Sequence, residues 1–123
     1  MENLKNPLGL TGIEFTEFAS ADSEFMENVF VDFGFSKTQK FIGKDILHFS
    51  QNRIHFLLNN EKSGFSAEFT KQHGPAISSM GWRVKDAKLA KQEAVKRGAK
   101  PAESTDFPYP AIYGIGNSLI YFI

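Results

Sequence analysis

Without a cysteine in its 123 residues, this sequence leaves acid–base or metal chemistry to three histidines and the carboxylates. His48 and His55 flank Asn52-Arg53, a two-residue break of the kind hairpins use. A two-residue turn pairs Ser50 with His55 and His48 with Leu57, which puts both imidazoles on one sheet face in a diagonal relation. Glu17 shares the inward parity of Phe15 on an earlier strand. Two imidazoles and a carboxylate are donors that suit Fe(II), so a metal site built on these three is conceivable. Two hydrogen-bonded or solvent-edge histidines need no metal, and they are the expected reading. His73, just before Gly74-Pro75, has no nearby nucleophile and carboxylate to complete a triad and reads as a turn or packing residue. Glu14 and Glu17 are three apart on a strand, so they point to opposite faces and cannot work as a general acid/base pair.

Two further motifs reduce to structure. The glycines of "GIGNS" would need to open a helix in order to cradle a phosphate; an apolar strand follows them, and a tight hairpin is expected. Lys85, Lys88, Lys91, Lys96, Arg97 and Lys100 gather around one helical segment, with Asp86 and Glu93 among them, as on the solvated face of an amphipathic helix. Over the whole chain 14 basic residues balance 14 acidic ones, which argues against nucleic acid or an anionic membrane as partner. No apolar run approaches the ~20 residues that span a bilayer. The start "MENLKNPLGL" lacks the apolar stretch of a signal peptide, so a cytoplasmic protein is expected. Thirteen phenylalanines, at alternating and helical spacings, read as core.

The elements that would position these side chains repeat. "GIEFTEFASAD" is strand-like and ends at Asp22, a helix cap. Phe25, Met26, Val29, Phe30 and Phe33 then form a helical apolar face, and Gly34 stops it. Three strand-like runs follow, "FSKTQKFI", "DILHFSQ" and "IHFLLNN", separated by the two-residue breaks Gly43-Lys44 and Asn52-Arg53. At a constant offset of 64 residues the same punctuation returns. Ile13 maps to Ile77, Phe18 to Trp82, Asp22 to Asp86, Phe25 to Leu89 and Gly34 to Gly98, and "IHFLL" maps onto "SLIYF". This predicts two copies of a βαβββ unit in an α+β domain covering residues 1–123. The first module spans 9–60, a linker with a short helix capped by Ser66 spans 61–75, and the second module spans 76–123. "AESTDFPYPA" is a loop or edge element. The helices should pack on the convex sheet face. Phe25, Met26, Phe30 and Phe33 should be buried there, with Ile13 or Phe15, Leu47, Phe49, Phe56 and Leu58 buried in the sheets.

Paired βαβββ modules are how the vicinal oxygen chelate superfamily builds its fold. Within it, "NPLGLTGIEFTEFAS", "FLLNNEKSGFSAEFTKQHGPAISSMGWRVKDA" and "AIYGIGNSLIYFI" make the chain resemble the N-terminal portion of 4-hydroxyphenylpyruvate dioxygenase. The resemblance implies an enzyme that uses Fe(II) and O2 to turn 4-hydroxyphenylpyruvate into homogentisate and CO2 in tyrosine catabolism. It implies too that the iron sits in a C-terminal half outside this chain, and that the partners are that half and further copies in a homo-oligomer. The end "NSLIYFI", an apolar strand without a polar tail, suits a longer chain.

In this superfamily metal ligands lie on the first and last strands of each module. By register those positions are Phe15 and Leu57 in the first module and Ser79 and Tyr121 in the second. None is the histidine or glutamate that the family's iron needs, so the resemblance implies no catalytic, metal-binding or cofactor-binding residue here. Ser79 becomes an isolated hydroxyl at a vacant position. The leading expectation is a non-catalytic structural domain. The alternatives are a stand-alone, metal-free protein that binds or sequesters a small aromatic molecule, and a lyase or isomerase with a metal at a dimer interface. The missing ligands weigh against the last.

Overall fold

The computed structural model describes residues 6–103 and 105–123. Residues 1–5 of the start read above, and Ser104 in the proline-containing loop, lie outside that range. The elements run β1 (Leu10–Ala19), α1 (Ser23–Asp32), β2 (Ser36–Lys40), β3 (Ile46–Gln51) and β4 (Ile54–Asn59). After α2 (Phe65–His73) come β5 (Ala76–Val84), α3 (Ala87–Lys96), β6 (Pro101–Ala102), β7 (Ala111–Tyr113) and β8 (Leu119–Phe122), with a 3-10 turn (Ile115–Asn117) before β8. This is βαβββ twice over in an α+β fold. The two helices of the repeat start and end at matching positions 64 residues apart.

Both of these helices begin where a side chain replaces the missing helical partner. Asp22 accepts a hydrogen bond from the Phe25 amide at 3.2 Å and Asp86 from the Leu89 amide at 3.0 Å, which satisfies one orphan donor in each first turn. Both are followed by a glycine at positive φ, Gly34 at 94° and Gly98 at 107°, where a side chain would be strained. On α3 the small Ala90 and Ala94 are buried against Val84, Ile112 and Phe122, so the helix lies close to the sheet. On α1 the contact is aromatic. Phe30 meets Phe18, Phe49 and Phe56 with ring centroids 4.9–5.3 Å apart, in the tilted and edge-on arrangements that aromatic quadrupoles favour.

The eight strands form one sheet in the order β2-β3-β4-β1-β5-β8-β7-β6. β1 and β5 run antiparallel at the centre, and each is flanked by the parallel last strand of its own module, β4 or β8. The two modules are therefore joined through their first strands. α1 and α3 cover the convex face.

Several expectations need correcting. Phe25 and Phe33 are 62% and 76% exposed. Only Met26, Val29 and Phe30 face the sheet, because Phe25 sits about 100° round the helix from Met26 and Phe33 is the residue that ends the helix. Of Ile13 and Phe15, it is Phe15 that is buried; Phe56 is only partly buried. β2 stops at Lys40, and Phe41 to Asp45 form a longer connection than the two-residue break expected at Gly43-Lys44. Ser66 does not cap α2. It is buried inside the helix, whose first two amides, Phe65 and Ser66, donate to the distant Asp106 carboxylate at 2.9 and 3.0 Å. Nor does α2 share the face of the other two helices, because Phe65 packs on the concave core.

One glycine decides how tightly the modules close. Gly81 on β5 pairs with Phe15 across the central seam and with Tyr121 on β8. A Cβ at Gly81 would overlap the Phe15 ring and approach the Ile123 side chain to 3.0 Å. Gly81→Ala should cost about 1–3 kcal/mol by overpacking, measured by urea unfolding. Combined with Phe15→Leu, the cost should shrink well below the sum of the single effects; strict additivity would show that the ring does not occupy this space.

Candidate functional site

Residues paired across neighbouring strands point to the same side of a sheet, so the concave face can be read row by row. One row runs His48, Leu57, Glu17, Ser79, Leu119, Tyr113 across β3, β4, β1, β5, β8 and β7. The next row toward one end holds Phe15, Gly81, Tyr121 and Ala111. Phe15, Leu57 and Tyr121 are buried in one cluster with Ile46, Leu119 and Phe107. Phe107 comes from the loop after β6 and lies edge-on to Phe15 at 5.8 Å and 5.4 Å from the Tyr121 ring.

Ser79 is not an isolated hydroxyl. It is fully buried and donates to Glu17 Oε1 at 2.6 Å. Glu17, also fully buried, accepts from Ser78 Oγ on the same oxygen at 3.2 Å and from Asn59 Nδ2 on Oε2 at 2.9 Å. Adjacent strand residues normally point to opposite faces. The register shift between Glu17 and Phe18 opposes Phe18 to Ile77, leaving Ser78 as the extra residue of a bulge, which turns both serines toward the carboxylate. Ser78 Oγ also lies 2.8 Å from Ser66 Oγ in α2. One carboxylate thus ties β1, β4 and β5 directly and α2 at one remove. Burial lifts the Glu17 carboxyl above its usual range. The Ser79, Asn59 and Ser78 hydrogen bonds pull it back only in part, and the charge of Asp106 adds to the rise.

The hairpin between β3 and β4 has the register expected from the sequence, Ser50 with His55 and His48 with Leu57. The two imidazoles are hydrogen-bonded to each other, His48 Nε2 to His55 Nδ1 at 2.9 Å, and His48 Nδ1 is 2.6 Å from Thr38 Oγ. Burial, and then the neighbouring His55, push the His48 imidazole below its usual range. Glu17 does not join them, because both its oxygens are bound in the serine and asparagine cluster. The histidines instead line a cavity of about 920 Å³ that is open to solvent, together with Phe15, Phe41, Lys44, Phe107 and Tyr109. His73, at the end of α2, lies 4.3 Å from the Phe69 ring, a packing contact. Glu14 pairs with Arg83 at 2.9 Å and has no part in the Glu17 cluster. The basic residues around α3 are exposed apart from the half-buried Lys91.

The four positions where the superfamily places metal ligands do not fit Fe(II). Phe15 and Leu57 offer only carbon, and the Ser79 hydroxyl is committed to Glu17. Tyr121 is buried with its hydroxyl pushed far above the usual phenol range by burial and then by Glu17, and it accepts from the Asp106 amide at 3.2 Å. Among the described residues no three histidine or carboxylate side chains converge. Reasoning from the sequence gave Ser79 its position but missed its partner. The available signal was an acid, Glu17, between inward-facing Phe15 and Ala19.

Two βαβββ modules joined through their first strands, with a shared concave face, define the vicinal oxygen chelate fold. The family model described as "Hydroxyphenylpyruvate dioxygenase, HPPD, N-terminal" matches residues 4–123, and the chain belongs to that family. Protein MelA of Shewanella colwelliana is 68% identical over 125 residues, which cover 100% of this chain and 36% of MelA. The 4-hydroxyphenylpyruvate dioxygenase of Pseudomonas sp. (strain P.J. 874) is 37% identical over 97% of this chain and 34% of its own length. Among solved structures, a xylose isomerase-like TIM barrel/4-hydroxyphenylpyruvate dioxygenase fusion protein superposes with a TM-score of 0.88 at 27% identity, over 97% of this chain and 20% of that one. The chain spans about a third of the length of the curated relatives it matches.

The raised Glu17 carboxyl makes stability depend on pH. The folded state holds this proton more tightly than the unfolded state does. Stability from this group is therefore full below the ordinary glutamate value of 4.5 and is lost as pH rises through the folded value, with a slope of up to about 1.4 kcal/mol per pH unit. Glu17→Gln keeps the shape and removes the titration. Compared by urea unfolding from pH 4 to 8, the variant should gain on the wild type as pH rises. A constant difference would show that burial does not perturb Glu17.

Proposed function

We propose that this chain is the non-catalytic N-terminal domain of a non-heme Fe(II) dioxygenase. The parent enzyme would convert 4-hydroxyphenylpyruvate and O2 to homogentisate and CO2 in tyrosine catabolism. The observation that carries the reading is the composition of the concave face. A fold that elsewhere in its superfamily holds a metal here carries Phe15, Leu57, Ser79 and Tyr121, closed over by Phe107 and tied down by Glu17. Family membership and 37% identity to a protein named as the dioxygenase support the assignment of the parent. The share of each relative that lies outside the match leaves ample room for an iron-bearing half.

In this reading the domain offers surfaces on which the rest of the chain packs and through which copies of the enzyme associate. Exposed Ile13 and Ile77 at the central seam, and Phe25, Phe33 and Leu89 around the helices, provide apolar area for such contacts. The balanced charge and the lack of any helix long and apolar enough to cross a membrane among the described residues are compatible with a cytoplasmic enzyme that has neither nucleic acid nor membrane as partner. Iron would be held by the C-terminal half alone.

The test is to load this chain anaerobically with Fe(II), remove free metal, and assay iron and homogentisate. The expected result is less than about 0.1 iron per chain and no product. Stoichiometric iron lost on His48→Ala or His55→Ala would place a metal centre in this domain and overturn the reading.

A further inference from the structure

We propose that the cavity beside the His48–His55 pair is a binding site for a planar aromatic monocarboxylate. The inference does not rest on the dioxygenase assignment, because it concerns a cavity wholly within this chain. The site stands on three observations. First, its size of about 920 Å³ is in the range of small-molecule sites. Second, its walls are aromatic and already ordered. Phe15 and Phe41 hold Phe107 at 5.8 and 6.3 Å, and Tyr109 meets Tyr121 edge-on at 6.5 Å. A flat ring entering between Phe107 and Tyr109 would extend this edge-to-face array without ordering new side chains.

Third, the cavity carries one cation without a countercharge. Of the charged groups on its wall, Glu14 is paired with Arg83 and Lys40 with Asp45. Lys44 has no carboxylate within ion-pair distance among the described residues. Its Nζ donates to the Asp106 carbonyl at 3.2 Å and lies 5.7 Å from the centre of the Phe107 ring. That places a positive charge at the edge of the aromatic wall, where a carboxylate attached to the bound ring would reach it. The histidines add no donor. With His48 Nδ1 on Thr38 and His48 Nε2 on His55 Nδ1, only His55 Nε2 has no protein partner among the described residues. The Thr38 hydroxyl donates its proton to the His48 carbonyl at 3.1 Å, so His48 Nδ1–H donates to Thr38, His55 Nδ1–H donates to His48 Nε2, and His55 Nε2 is left as an acceptor. The anion is held by Lys44 and not by the imidazole pair.

The experiment titrates the 123-residue chain, which has three apolar cores of its own, with 2-naphthoate followed by its fluorescence. Parallel titrations use 2-naphthamide, which keeps the ring and loses the charge, and octanoate, which keeps the charge and loses the ring. Naphthoate should bind saturably at one site, with the amide and octanoate each at least about tenfold weaker. Lys44→Ala should weaken naphthoate about tenfold and bring it close to the amide, while Lys44→Arg stays within about threefold of wild type. Thermal melts establish that each variant is folded. Equal affinity for naphthoate and its amide, an unchanged Lys44→Ala, or no saturation by about 5 mM naphthoate would overturn the proposal. None of these outcomes bears on whether the chain belongs to a dioxygenase.

Discussion

A buried carboxylate at the seam between the modules is the constraint on which the rest of this structure turns. Two βαβββ units could slide along the β1–β5 pairing by a residue or two and still bury apolar area, because aromatic residues occupy both faces. Glu17 removes that freedom. Its oxygens need three donors, and those donors come from Asn59 at the end of β4 and from two serines on β5. Any register other than the observed one would leave a carboxylate buried and unpartnered, at a cost of several kcal/mol. The bulge that brings Ser78 alongside Ser79 is part of the same arrangement, and it passes the constraint on to Ser66 and α2.

The same seam explains why the concave face of this chain is filled with side chains. The concave rows are filled from three directions, by Phe15 from β1, Tyr121 from β8 and Phe107 from the loop after β6. Asp106, the neighbour of Phe107, anchors that loop. Its carboxylate caps α2, its amide donates to Tyr121 and its carbonyl accepts from Lys44. The loop therefore closes the centre of the concave face and leaves the open cavity to one side, against β3 and β4.

Much of this was legible in the sequence, for definite reasons. Caps and stops are local signals, so Asp22, Asp86, Gly34 and Gly98 located both repeat helices. A two-residue turn sets register without outside help, so the pairing of His55 with Ser50 followed from Asn52-Arg53. Failures came where the partner was distant or the geometry fine. The α2 cap is Asp106, about 40 residues away, and no local pattern could replace the more obvious Ser66. Phe25 belongs to the apolar spacing of α1 but falls outside the arc the helix presents to the sheet, and Phe33, although in phase with Met26, lies past the last helical residue, Asp32. Ser79 read as isolated because its partner lies 62 positions earlier. An inward-facing glutamate on β1 was visible, but the bulge that gives it two serines was not.

The central claim, that the concave face of this domain is structural and takes no part in chemistry, is tested most directly by Ser79→Ala in the intact dioxygenase that would contain this chain. Removing the hydroxyl deprives a buried carboxylate of its shortest hydrogen bond. Unfolding stability should fall by about 1.5–3 kcal/mol, the worth of a hydrogen bond to a charged group. Iron occupancy and kcat per folded molecule should stay within about twofold of wild type, because in the proposed reading the Ser79 hydroxyl serves Glu17 and not a transition state. A loss of kcat of about a hundredfold in protein that is still folded and iron-loaded would contradict the account and place Ser79 and Glu17 in the catalytic machinery.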